Sequence, residues 1–125
     1  MPIPHSINLR AAAGQQINTL FDPYVAGDIN QTQVKVAKFG PTFDWHAHPQ
    51  EDEAFFVLQG RIVIDFRDGS VELGEGDFLV VPRAIEHRPR SLTSEPIVML
   101  IEPASTINTG EQTTSNTVTD LKRLR

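Results

Sequence analysis

The sequence predicts an all-β fold, an antiparallel sandwich or a single β-barrel. Two observations carry that expectation. Short runs rich in Val, Ile and Phe alternate with period two, as half-buried strands do. Nine prolines and eight glycines stand between those runs, so turn signals recur at short, regular spacing.

The elements follow in order. Residues 9–21, LRAAAGQQINTLF, suit a short helix or an irregular strand. QTQVKVAKF (31–39) alternates, with Val34 and Val36 on one face. AFFVLQG (54–60) is a compact apolar run closed by Gly60, and RIVIDF (61–66) sets Ile62, Ile64 and Phe66 on one face. Gly60 and Arg61 lie between these two runs, which predicts a tight hairpin there. RDGS (67–70) is a second turn signal. SVELGEGDFLVVP (70–82) reads as strand, Gly-rich turn, strand, with Glu75 and Asp77 as turn residues. PIVMLIEP (96–103) is an apolar run bracketed by prolines. ASTINTGEQTTSNT (104–117) has few large apolar groups and predicts a long loop or mobile arm, and 118–125 a final edge strand or short helix. The expected organisation is one domain over 1–125, with a core at 31–103, an N-terminal arm at 1–30 and a C-terminal loop or arm at 104–125.

Composition removes several function classes. The chain of 125 residues has 39% hydrophobic and 22% charged residues, ordinary values for a globular domain. A formal net charge of −5 argues against nucleic acid and against anionic membranes as partners. With no cysteine there is no disulfide, no thiolate metal site and no thiol nucleophile. Any transition metal must be held by nitrogen and oxygen. No apolar run approaches the roughly 20 residues of a membrane span. The opening MPIPHSINLRAAAG lacks the form of a signal peptide, so a cytoplasmic location is expected. No phosphate-cradling loop or nucleophile elbow is present, and GEG (74–76) is a turn.

The chemistry-bearing stretch is FDWHAHPQEDE (43–53). His46 and His48 sit at i and i+2, which on a strand share one face about 7 Å apart. Two imidazoles of that reach can converge on one ion at about 2.0–2.1 Å each. Glu53 can enter from the start of the next strand, and His87 follows Pro82 at the end of another. Glu51 and Asp52 are competing carboxylates. Asp52 is out of register and expected to face away, while Glu51 shares the parity of Glu53.

These residues carry a resemblance. Gly40, five residues, His46-Ala47-His48, four residues, Glu53, six residues and Gly60 is similar to the first motif of the cupin superfamily. Gly76, five residues, Pro82, four residues and His87 resembles its second motif. Ala84 and Ser91 depart from it, standing where the family usually has Gly and often has Asn. A positive φ at Ala84 would cost about 1 kcal/mol.

The resemblance implies a barrel of jelly-roll (double-stranded β-helix) type with His46, His48, Glu53 and His87 in its mouth. It implies one divalent transition metal ion: Fe, Mn, Zn, Ni, Cu or Co, among which ligand type does not choose. Four protein ligands leave one or two open positions for water, a bidentate oxyanion or O₂. The implied function is a metal-dependent enzyme acting on a small polar molecule, either oxygenase-like or a Lewis-acid isomerase or lyase. Alternatives are a non-enzymatic small-ligand or sensor cupin and a protein like sugar or sugar-phosphate isomerases. Small cupins of this kind also imply a homodimer formed by sheet augmentation or strand exchange through residues 1–39 or the Thr-rich tail.

Other side chains are weighed against these. Phe55 shares the face of Glu53 and is a candidate to line a substrate pocket. Arg83, with Arg88 and Arg90 around His87, could bind an anionic substrate, against the plainer role of a surface ion pair; Arg83 is the candidate substrate contact. Trp45 is expected opposite His46, in packing. His5 lies in the terminal segment and is set aside as a ligand.

Overall fold

The computed structural model describes residues 2–125. Among these residues the order is α1 (Leu9–Gln16), β1 (Tyr24–Ile29), β2 (Thr32–Lys38), β3 (Glu53–Gln59), β4 (Ile62–Phe66), β5 (Gly69–Leu73), β6 (Phe78–Val81), β7 (His87–Ser91) and β8 (Ile97–Pro103). The strands form two antiparallel sheets, one in the order β1-β2-β8-β3-β6 and the other β5-β4-β7. The sheets share one core. Ala37, Phe55, Val57, Val98 and Leu100 from the larger sheet meet Ile62, Ile64 and Leu73 from the smaller.

Two expectations need correction here. The sheets are not closed into a barrel: β1 and β6 remain edges, and the loop before β3 is tied to the smaller sheet by a lone bridge between His46 and His87 and by the Ser91 amide, which donates to Gly40 O at 2.8 Å. The arrangement is consistent with a jelly roll, whose two sheets face one another across the core. The hairpin expected at Gly60–Arg61 is absent, because β3 pairs with β6 and β8 while β4 pairs with β5 and β7. Gly60, at φ 81°, instead carries the chain from one sheet to the other. The Gly-rich turn after β5 is a second crossing. There the Gly74 amide donates to Asp77 Oδ2 at 2.8 Å, and the Gly60 amide donates to Glu75 Oε2 at 3.1 Å.

Residues 1–30, expected as an arm, contribute a helix and an edge strand. The helix alternative for 9–21 holds over Leu9–Gln16, where Asn8 accepts the Ala11 amide as an N-cap. Ala12, Ala13 and Ile17 pack with Tyr24, Val36, Ile97 and Leu124 in a second apolar cluster outside the larger sheet. Leu124 arrives there through a single parallel bridge, Val25 with Arg123, so the terminal segment is neither a full strand nor a helix. Among the described residues no helix is long and apolar enough to cross a membrane.

The larger sheet is therefore buried on both faces near its centre. On β8, Val98, Leu100 and Glu102 face inward. Register sets Gln33 opposite Glu102 and Lys35 opposite Leu100 on β2. On β3, Glu53 and Phe55 look into the same interior, one residue beyond the Ala54–Ile101 pair in the case of Glu53. The end of the sandwich where β3 starts thus receives charged residues from three neighbouring strands.

Candidate metal centre

His46 and His48 lie on the irregular segment before β3, and only His46 makes a bridge. The expected strand geometry does not hold these histidines; hydrogen bonds from β7 and from the turn before it do. The His46 amide donates to His87 O at 3.0 Å, and the His87 amide donates back to His46 O at 2.9 Å. The Ala84 amide donates to His48 O at 2.8 Å. Ala84 closes the turn Pro82–Ile85 with φ 68°, the left-handed conformation a type II turn requires at its third residue. The position where the family motif has Gly therefore demands Gly geometry, and Ala84 adopts it at a cost.

Four ligand atoms, one each from His46, His48, Glu53 and His87, lie within 4.8 Å of one another, and all four residues are buried. Ring centroids are 4.9 Å apart for His46–His48 and 4.4 Å for His46–His87. Glu53 Oε1 stands 3.4 Å from His48 Nε2 and 3.2 Å from His87 Nε2. Two donors bound at about 2.1 Å to one ion at a right angle stand about 3 Å apart, so these spacings suit a shared ion.

The surroundings suit it too. His46 Nδ1 is 2.9 Å from Asp44 O and His87 Nδ1 is 2.9 Å from Ile85 O. A carbonyl only accepts, so each Nδ1 carries the proton and each Nε2 keeps its lone pair for the centre. Neither ring nitrogen of His48 has a hydrogen-bond partner, a costly state for a buried imidazole unless a cation takes a lone pair. Burial, then the neighbouring His87, push His46 down to about 4, so it is neutral near pH 7, as ligation needs. Burial pushes Glu53 up, but the Glu102 carboxyl, His48 and His87 around it outweigh this and hold it well below the usual carboxylate range. The cluster could hold one metal ion.

Beside the cluster is a cavity of about 30 Å³. Its walls include Phe21, Phe39, Phe43 and Phe55, and its polar edge is His46, Glu53, Glu102 and Asn108. Phe55 thus lies where the sequence reading set it, on the face of Glu53. Arg83 does not line this cavity. It is exposed and pairs with Asp52, its Nη2 3.1 Å from Asp52 Oδ2. Arg88 and Arg90 both pair with Asp65 on β4. Glu51 accepts the Ser105 hydroxyl, away from the centre, and His5 is exposed. Trp45 lies under two guanidinium groups, Arg67 at 3.9 Å and Arg88 at 4.8 Å.

Two residues escaped the sequence reading. Lys35 is 2% exposed and donates to Glu102 Oε1 at 2.8 Å and to Thr106 O at 3.2 Å. Burial, then the adjacent Glu53 charge, push Glu102 well up, and Lys35 only partly offsets this. The tail, expected as a long loop or a mobile arm, is a loop pinned over the histidine segment. Thr114 and Asn116 donate to Asp44 Oδ2, and Gln112 donates to Trp45 O.

With the site in view, the comparisons place the fold. Residues 33–101, more than half the chain, match the cupin domain family. The chain belongs to the cupin family. Among curated proteins it is similar to the uncharacterized protein YdbB of Bacillus subtilis (strain 168), at 42% identity over 65 residues. That match covers 51% of this chain and 58% of the relative, so it spans little more than half of that protein's length. Its structure is similar to that of a cupin-2 domain containing protein from Shewanella frigidimarina NCIMB 400, with TM-score 0.73 and 35% identity over 78% of this chain and 93% of that one. It is also similar to protein NMB1881 from Neisseria meningitidis, with TM-score 0.70 and 31% identity over 80% of this chain and all (100%) of that one.

Proposed function

We propose that the protein is a metal-dependent enzyme of the cupin family acting on a small polar molecule, with His46, His48, Glu53 and His87 holding one divalent transition metal ion. The observation that carries the reading is the buried convergence of these four side chains, with two imidazoles oriented by backbone carbonyls and one left without any partner. A bound ion there would supply Lewis acidity to a substrate oxygen or, if redox-active, electrons to O₂. The chain's own contribution is positional. Two of the four residues, His46 and Glu53, also line the cavity, so a molecule in the cavity lies against the cluster. The phenylalanine walls exclude water from that contact and strengthen polar interactions within it.

Between the chemistries, the cavity favours an oxygenase-like or isomerase/lyase reaction on an uncharged group over a sugar-phosphate isomerase. A phosphate needs cationic partners beyond a single bound ion, and among the described residues no lysine or arginine lines the cavity. Metal analysis of the purified protein tests the reading: about one equivalent of a transition metal supports it, and a protein that neither retains nor takes up such an ion overturns it. His48→Ala is expected to reduce metal content to about a tenth or less while the far-UV spectrum stays that of a β protein.

A homodimer belongs to the same proposal. On edge strand β6, Phe78 is 56% and Val80 46% exposed, beside half-buried Phe56 and Met99 on the same outer face. Such a continuous apolar face suits association with a second copy.

A further inference from the structure

Glu102 is placed unusually for a carboxylate. It is 3% exposed, near the end of β8, and lines the cavity beside the metal cluster. One oxygen, Oε1, receives the Lys35 ammonium at 2.8 Å. The other, Oε2, is buried with no hydrogen bond of good geometry, although the Glu53 carboxyl is a close neighbour of Glu102. Lys35 in turn is fixed by Thr106 O at 3.2 Å. A buried ion pair costs several kcal/mol in desolvation, and an orphaned oxygen adds to that. Folding alone gives no reason for the expense, since an apolar pair would fill the same space. A ligand that donates a hydrogen bond to Oε2 would supply one.

The rest of the cavity limits that ligand. Four phenylalanines make its walls apolar, and its small volume takes one end of a small molecule rather than a bulky group. Among the described residues its lining has no lysine or arginine, and its acidic members are Glu53 and Glu102. In the metal-free protein an anion entering would meet carboxylates and aromatic faces with no counter-charge free to pair, because the Lys35 donors point to Glu102 and Thr106. We propose that this cavity is a binding subsite for a compact, uncharged, hydroxyl-bearing group, with Glu102 Oε2 accepting the hydroxyl and Lys35 acting as the positioning residue that holds the carboxylate. Asn108, brought in by the C-terminal segment, stands at the polar edge as a second hydrogen-bonding group. The proposal deepens the metal-enzyme reading and rests on it for the reaction that follows, but the binding itself needs no ion.

The test is therefore made on metal-stripped protein, so that chelation cannot mask selectivity. Three small probes are titrated while the amide signals of Phe55, Leu100 and Asn108 are followed by NMR. Hydroxyacetone carries the hydroxyl, acetone lacks it, and lactate is charged. Saturable shifts with hydroxyacetone, at least about tenfold tighter than with acetone, and no saturation with lactate are expected. Removing Glu102 alone would strand Lys35, so the variant is the double change Lys35→Met with Glu102→Leu, which removes both charges together. It is expected to bind acetone as the native chain does and to lose the preference for hydroxyacetone. A merely structural role for the pair would leave that ratio unmoved. The proposal is overturned if the native chain shows no preference, if lactate saturates the same signals, or if the folded double variant keeps the preference. Should the double variant not fold, the native ratios alone still decide. Separate metal analysis reports on the metal reading, so the two can fail independently.

Discussion

Lys35 and Glu102 show how far a residue's surroundings can depart from its local pattern. Along β2 the valines at 34 and 36 mark the apolar side, which assigns Lys35 to solvent. In the fold both sides are covered, one by α1 and the other by the smaller sheet, so Lys35 is buried against Glu102. Replacing Lys35 by Met leaves Glu102 buried and unpaired, and about 3–5 kcal/mol of stability is expected to be lost in urea unfolding. Adding Glu102→Leu should recover most of that loss. Ala84 is the opposite case. Its strain was foreseeable from motif position, and its φ of 68° matches it. Ala84→Gly is expected to raise stability by about 0.5–1 kcal/mol, relief of strain exceeding the added entropy of the unfolded chain. An unchanged or lower midpoint would show the turn to be unstrained.

At the scale of elements, β4 and the C-terminal segment carry separate predictions. Asp65 on β4 pairs with Arg88 and Arg90 and accepts the Ser70 hydroxyl. The Arg90 guanidinium in the first place, with Ser70 and Arg88, lowers its carboxyl from 3.8 to about 2. A depressed carboxylate stabilises the fold above its unfolded value and ceases to do so as pH falls through the folded one. Asp65→Asn should therefore cost about 1–2 kcal/mol near neutral pH, allowing for screening of the half-exposed arginines. The gap between native and variant midpoints should narrow below about pH 4 and close near pH 2. In the C-terminal segment, Gly110 has φ 71° and lies against Ala47, so a Cβ there would run into the Ala47 carbonyl. Gly110→Ala is expected to loosen residues 105–117, read as faster amide exchange in that segment with the strands unaffected. The Thr-rich composition suggested mobility because it lacks apolar anchors. Its anchors are polar, to Asp44, Trp45 and Glu51, and pairings so distant in sequence leave no local trace.

For the whole molecule, the apolar outer face around Phe78 and Val80 gives the last expectation. Light scattering should report a dimer, and Phe78→Glu should shift it toward the monomer without unfolding it, since that side chain is already exposed. A native monomer at micromolar concentration would remove the dimer from the proposal. The sequence by itself determined most of the strand content and carried the cupin-like motifs that single out His46, His48, Glu53 and His87, because strand period and motif spacing are written along the chain. Only the tertiary structure decided which strands pair, that Gly60 crosses between sheets rather than turning a hairpin, that Glu102 and Asn108 meet at the cavity, and that Lys35 holds Glu102 from behind it. Those are contacts between residues far apart in the chain, set by register and by burial on both faces of a sheet, and a pattern read along one strand does not contain them.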